Sequence, residues 1–396
     1  MLTLIVPTYN RPELLARLLR HLAAESISWP VVVMDSSRPD AAAANRAGLT
    51  GTGLDIDHIV LPGSTTPFDK FRDGFARVRT PYAVLCADDD VVIPAALGEC
   101  VRFLEEHPSF AAAHGLYYTF LDERRLAGPV RHYGDGWHRV PADRRSVLVQ
   151  NVCWQSPSLA APEPAQRLAD LFRRYEALTY AVMRTEIART AFDLARLPRS
   201  VMFRELVSSA IPVIHGKVAR LPRLYCGRST EVLTTYESWH PVEWLSRSPE
   251  ALVRDGARAR QVLGAVLASA TGLAAAEAAR TVDLCLLRYL AGNLTPGLVD
   301  VLLDGALAGR TDDEVRQAAW AQAHAAPPPP AAGLPLLPPE AGPPAPGERV
   351  ERVVRHGAVP LTIRLQPGFL RAGPPEEVVI DDDACAEVVR SLAGCL

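Results

Sequence analysis

Lysine is almost missing from this chain: Lys70 and Lys217 are the only two among 42 basic side chains, the rest being arginine. Such a bias reflects a GC-rich coding sequence more than protein physics, so the two retained lysines stand out. Paired cysteines are missing as well. The seven cysteines (Cys86, Cys100, Cys153, Cys226, Cys285, Cys385 and Cys395) are odd in number and form no Cys-x-x-Cys motif, which argues against structural zinc and a disulfide framework and for reduced thiols. No apolar run is long enough to span a bilayer. The most apolar later stretch, Val262 to Ala276, is short and carries Ser269, Thr271 and two glycines. Nor is there room for a leader, since Met1-Leu2-Thr3-Leu4 already reads as the first strand. A net charge of −3 gives no reason to expect nucleic acid as a partner. These absences together predict a cytoplasmic, bacterial protein with no transmembrane span.

What is present first is an alternation of strands and helices. Leu2-Thr3-Leu4-Ile5-Val6 is a continuous apolar run of strand length, and Pro7 to Pro12 is a turn. Pro12 suits the first helical position, after which Leu14, Leu15, Leu18, Leu19 and Leu22 repeat at helical spacing. A second strand, Val31 to Met34, runs into Asp35-Ser36-Ser37. An Ala-rich segment, a third strand at Ile56 to Leu61 and a helix over Asp69 to Arg77 follow. The fourth strand, Tyr82 to Leu85, leads into Asp88-Asp89-Asp90. Alternation of this kind predicts a parallel sheet that binds its ligand at the carboxyl ends of the strands. Asn10, Asp35 and Asp88 to Asp90 all fall at such ends. Three adjacent carboxylates repel one another, and are tolerable facing water or holding a hard divalent cation.

Val6-Pro7-Thr8-Tyr9-Asn10-Arg11, Val33-Met34-Asp35-Ser36-Ser37 and Ala87-Asp88-Asp89-Asp90 together resemble the inverting family 2 glycosyltransferases of the GT-A fold. The resemblance covers residues 1–95 well, weakens over 96–240 and stops there. It implies an α/β fold, a Rossmann-like mixed sheet flanked by helices, and a nucleoside-diphosphate sugar as donor, UDP-sugars being favoured. Thr8, Tyr9, Asn10 and Asp35 would contact base and ribose, with Pro7, Arg11 and Ser36 beside them. Asp88 would lie near the ribose or the metal, with Asp89 among the nucleotide-sugar contacts. Asp90 would be the principal ligand of Mn²⁺ or Mg²⁺, with Asp88 near the same ion. Members of the family often carry Asp-Asp-Gly-Ser on the second strand where this chain has Met34-Asp35-Ser36-Ser37, which leaves the nucleotide's identity open. Lys70 lies where the family places basic residues near the nucleotide, and could act as a point charge for phosphate. Asp381-Asp382-Asp383 supplies an internal contrast: it precedes a helical pattern from Ala384 to Leu392 and reads as a cap.

The following half should build the acceptor side. Ala111 to Tyr118 reads as a strand in which Gly115 allows close approach, and a loop from Asp122 to Arg145 carries His132, Tyr133, Trp137 and His138, a composition suited to sugar rings or to an ordinary surface loop. A helix over Pro164 to Tyr175 and a strand over Leu178 to Arg184 return the chain to the core. Inverting transfer needs a general base. The resemblance places it at Met202-Phe203-Arg204-Glu205-Leu206, so Glu205 is the expected base, with Arg204 where members often have a second acid. Asp122 and Asp135 are the fallback bases. By the same resemblance Arg228 would face the diphosphate, and His240 would complete the metal shell.

Beyond residue 240 the chain expects a helical region (241–325) with core candidates Leu245, Leu252, Val262, Leu263, Val266, Leu267, Leu284, Leu287 and Leu290. This region could dimerise, cover the acceptor, or touch a membrane surface through Arg254, Arg258 and Arg260. A Pro-rich linker (326–347) follows, then a small α+β module or docking tail (348–396). The catalytic domain would be 1–240, divided into a nucleotide-sugar half (1–95) and an acceptor half (96–240). The resulting expectation is a metal-dependent inverting glycosyltransferase acting on an acceptor hydroxyl in polysaccharide, glycolipid or secondary-metabolite biosynthesis. Two alternatives remain. A sugar-nucleotide nucleotidyltransferase should open with a glycine-rich phosphate loop, and Pro7 to Pro12 contains no glycine. A non-catalytic carbohydrate- or nucleotide-binding scaffold would keep the rim and lose the base.

Overall fold

The structure is a computed structural model. It describes residues 1–122, 130–132, 136–138, 146–153, 158–229, 241, 248–294, 296–311, 314, 318, 350–356, 359–365, 386–388 and 390–392. The first half runs β1 (Leu2–Thr8), α1 (Pro12–Ala24), β2 (Val31–Asp35), α2 (Pro39–Leu49), β3 (Ile56–Val60), α3 (Pro67–Arg77) and β4 (Tyr82–Leu85). A short β5 (Val91–Val92), α4 (Pro94–Glu106) and the long β6 (Phe110–Asp122) follow. Next come β7 (Val130–His132), β8 (Gly136–His138), β9 (Ser146–Cys153), α5 (Pro164–Arg173), β10 (Val182–Arg184), α6 (Thr185–Ala195), α7 (Val201–His215) and β11 (Lys217–Ser229). The chain ends with α8 (Pro249–Thr271), α9 (Ala275–Asn293), α10 (Pro296–Leu307), β12 (Val350–His356) and β13 (Val359–Leu365).

Pro12, Pro39, Pro67, Pro94, Pro164 and Pro249 each open a helix, where a missing N–H costs nothing and a fixed φ is already helical. The strands β3, β2, β1 and β4 lie side by side, all parallel, in register Thr8 with Asp35 and Leu4 with Val84. The order continues through β10, antiparallel to both β4 and β6, so the sheet is mixed. Alternation along β1 sends Leu2, Leu4 and Val6 to one face, against Leu15, Leu18 and Leu22 of α1, and Ile5 to the other, with Phe75, Phe192 and α7. Both faces are thus buried, as the unbroken apolar strands predict.

β6 and β11 run parallel and carry the sheet on beyond β10. Gly115 permits their contact: a Cβ there would stand 2.3 Å from the Arg223 carbonyl oxygen. The expected strand over Leu178 to Arg184 is shorter than the pattern suggests. Leu178 N–H is taken by Ser209 Oγ and Ala181 N–H closes a turn on Leu178 O, so only Val182 to Arg184 pairs as strand. The helices α8 and α9 pack on α5 and α7, with Val262, Leu263, Leu267, Val282, Cys285 and Tyr289 buried. Leu284 and Leu287 are exposed, against the core assignment, because the buried face of α9 is set by Val282, Cys285 and Tyr289. Leu245 lies outside the described residues, as does most of the loop from Asp122 to Arg145. β13 pairs in parallel with β9 and extends the same sheet, and Val388 and Leu392 are fully buried in the α1 side of the core. Among the described residues no helix is long and apolar enough to cross a membrane.

Candidate active site

Parallel pairing of β1 with β2 and β4 brings three strand ends onto one rim. At the end of β2, Asp35 is fully buried, yet it accepts from Ser37 N–H (2.8 Å), Asn45 Nδ2 (2.8 Å) and His58 Nε2 (3.0 Å). Burial pushes its carboxyl up, but these hydrogen bonds outweigh burial and hold it well below the usual carboxylate range. Asn10, at φ 56°, is tied to the same corner: its N–H donates to Ser37 Oγ (2.7 Å) and its Oδ1 accepts from Arg38 N–H (2.9 Å). Ser36 N–H donates to Thr8 O at 3.3 Å, and Pro7 lies beside Met34 in the ladder.

The acidic turn sits across from this corner. Thr8 Oγ1 donates to Asp88 Oδ2 at 2.6 Å, and Arg11 spans Asp88 Oδ1 (3.3 Å) and Asp89 Oδ2 (3.0 Å). Lys70, only 2% exposed, reaches up from α3 to donate to Thr8 O at 2.8 Å and lies 5.5 Å over the Tyr9 ring. Burial pulls its ammonium down to about 8, against the charges of Asp88 and Asp35. Burial, followed by the Asp89 charge, pushes both Asp88 and Asp90 up. Asp90 Oδ1 accepts from Ser229 N–H at 2.9 Å, and Arg228 Nε lies 3.7 Å from Asp90 Oδ2.

Arg228 connects the rim to Tyr117 and Tyr180. Its guanidinium lies 4.6 Å from the Tyr180 ring centroid and 5.8 Å from that of Tyr117, and with both tyrosines it lines a narrow cleft. Its charge also acts on Glu205. Glu205, in the second turn of α7, accepts a hydrogen bond from Tyr175 Oη at 3.1 Å. Burial raises its carboxyl to about 7, against that hydrogen bond and the Arg228 charge. The neighbouring Arg204 turns elsewhere, donating to Pro198 O and Thr66 Oγ1.

Residues 3–155 match the family described as glycosyl transferase family 2. Over this stretch the chain is similar to that family. No curated protein matches the sequence. Among solved structures, residues 1–349 of TarS from S. aureus in complex with UDP-GlcNAc share 15% identity, with 81% of this chain and 79% of that chain covered at a TM-score of 0.52. The mannosyltransferase PcManGT from Pyrobaculum calidifontis, in complex with GDP-Man and Mn2+, is 16% identical and covers 82% of this chain and 84% of its own at a TM-score of 0.39. The family match and the TarS likeness together give a glycosyl-transferring enzyme with a GT-A fold.

Within this glycosyltransferase the structure brings Thr8, Tyr9, Asn10, Arg11, Asp35, Ser36, Lys70, Asp88, Asp89, Asp90 and Arg228 to one rim. His240 and Asp135 lie outside the described residues, and Asp122 sits buried at the end of β6. Among the described residues no group of three or more His, Cys, Asp or Glu is arranged to hold a metal ion. The donor chemistry still suits one: burial and then the Asp89 charge raise the proton affinity of Asp88 and Asp90, a penalty that a hard cation would relieve. Asn45, His58 and Tyr175 went unnoticed in the sequence. Nothing in the local pattern marks them, and only tertiary pairing with Asp35 or Glu205 gives each a place in the site.

Proposed function

We propose that this glycosyltransferase moves a sugar from a nucleoside-diphosphate sugar, with UDP-sugars favoured, to an acceptor hydroxyl with inversion at the anomeric carbon. The observation that carries this reading is the place of Arg228, next to Asp90 on the nucleotide rim and within electrostatic reach of Glu205 on the acceptor side. One cation thus connects a leaving-group site to a candidate base. In the proposed reaction the acceptor oxygen attacks the anomeric carbon, the bond from that carbon to the diphosphate breaks, and Glu205 takes the acceptor proton. A carboxyl raised to about 7 suits that role, because a base works best with a proton affinity near the working pH. Asp35, Asn10 and Thr8 hold the nucleoside, and Lys70 and Arg11 supply positive charge beside the phosphates. The TarS complex with UDP-GlcNAc supports a nucleotide sugar as donor.

Asp90 and Asp88 would hold a divalent cation, with His240 as a further ligand. When bound, Mn²⁺ or Mg²⁺ offsets charge on the departing diphosphate. The division of labour follows the sequence, with residues 1–95 binding donor and 96–240 binding acceptor. A thermal-shift panel of UDP-, GDP- and dTDP-sugars with and without Mn²⁺ tests the reading. A UDP-sugar should stabilise the protein only when Mn²⁺ is present, and Asp90→Asn should remove that gain and abolish transfer. Full activity of Asp90→Asn in the presence of chelator would overturn the metal assignment.

A further inference from the structure

Glu205 is held by a short chain of hydrogen bonds with a defined direction. Leu178 N–H donates to Ser209 Oγ at 3.0 Å, and Ser209 Oγ lies 3.2 Å from Tyr175 Oη, which lies 3.1 Å from Glu205 Oε1. Because the phenol spends its one proton on the Glu205 carboxylate, its contact with Ser209 is made with the Ser209 hydroxyl donating to the phenol oxygen. Burial and then the Glu205 charge hold the Tyr175 hydroxyl far above its usual range, so it stays a donor throughout the working pH range. Among the described residues no hydrogen bond reaches Oε2, the second oxygen of Glu205.

The Tyr175 ring is fixed from outside the catalytic domain. Tyr289 of α9 meets it edge-on, with centroids 5.1 Å apart and planes at 80°, and Phe172 of α5 lies 6.1 Å away. Tyr289 is itself mostly buried, against Phe172. The charged and titratable groups facing Glu205 among the described residues are Tyr175, Tyr289 and Arg228.

We propose that Tyr175 is the positioning residue of the Glu205 base, fixing one carboxyl oxygen so that the other meets the acceptor hydroxyl, and that Tyr289 makes the C-terminal helices part of this device. The inference rests on the reading of Glu205 as the base. Two measurements on the full chain keep the inference and that reading apart.

The first follows the Glu205 carboxyl by NMR on protein labelled with ¹³C-glutamate, its signal assigned by loss in Glu205→Gln. Removing the phenol proton in Tyr175→Phe should move the titration up by about one unit, the size expected for one hydrogen bond to a charged acceptor. Tyr289→Ala should move it in the same direction, and Tyr289→Phe, which keeps the ring, should not. A titration unmoved in Tyr175→Phe, with only a lower melting temperature, overturns the inference. Should Tyr175→Phe not fold, an unmoved titration in Tyr289→Ala overturns it equally. The second measurement is the acid limb of kcat/KM, which should shift together with the carboxyl. A carboxyl that shifts while the limb stays in place overturns the base assignment and not the hydrogen-bond chain.

Discussion

At Asp35 three donors converge on one buried carboxylate, and one of them, His58, comes from the neighbouring strand. Replacing His58 by Ala leaves a buried charged acceptor short of a partner, at a cost of about 1–3 kcal/mol. Asp35 has a depressed proton affinity in the folded state, so its stabilising contribution is full above the ordinary carboxylate range and fades as pH falls toward the folded value. The gap between wild type and His58→Ala should therefore close as pH falls through and below the ordinary carboxylate range, in melting curves taken from pH 5 downward. A gap that persists undiminished at the acid end would show that His58 acts elsewhere. Asp35 and Asp88 to Asp90 were legible in the sequence because acids crowded at apolar strand ends have few structural uses. His58 and Tyr175 were not, because nothing in a local pattern tells which side chain meets a carboxylate tens of residues away.

Among the elements, the β6–β11 pair most directly shapes the site, since it carries Tyr117 on one strand and Arg228 on the other. Their approach depends on Gly115, where an added methyl would strike the Arg223 backbone oxygen, which cannot swing aside as a side chain would. Gly115→Ala should cost about 1–3 kcal/mol, the usual range for overpacking, and should weaken activity by displacing Arg228. Unchanged melting and turnover would show that the two strands separate freely. The helix α1 was legible from Pro12 and the leucines spaced behind it, since a fixed φ and a missing N–H act locally, whereas the starts at Pro39, Pro67 and Pro94 were not read from the proline. The stretch Leu178 to Ala181 was not, although its apolar pattern suits a strand. The Ser209 hydroxyl, from a helix, takes the N–H that a strand neighbour would have used.

For the molecule as a whole, the chain closes back on itself: β13 lies beside β9, and Val388 and Leu392 are buried against the same core as α1. The sequence shows the Pro-rich stretch and the strand signals beyond it, but a partner strand two hundred residues earlier leaves no local trace. A chain truncated at residue 347 should expose the β9 edge and lose two fully buried aliphatic side chains, worth about 3–6 kcal/mol of apolar burial. An unchanged melting temperature would mean that these contacts carry no weight. The larger claim is that nucleotide rim and acceptor half form one catalytic centre joined through Arg228, and Glu205 tests it most directly. Glu205→Gln and wild type should be compared for donor affinity and turnover on one preparation each, using the UDP-sugar that stabilises the wild type. Donor affinity should stay near wild type while kcat and kcat/KM fall together by about 10²–10⁴-fold, the range of general-base catalysis. Near-normal turnover in Glu205→Gln would contradict the account and move the base to Asp122 or Asp135.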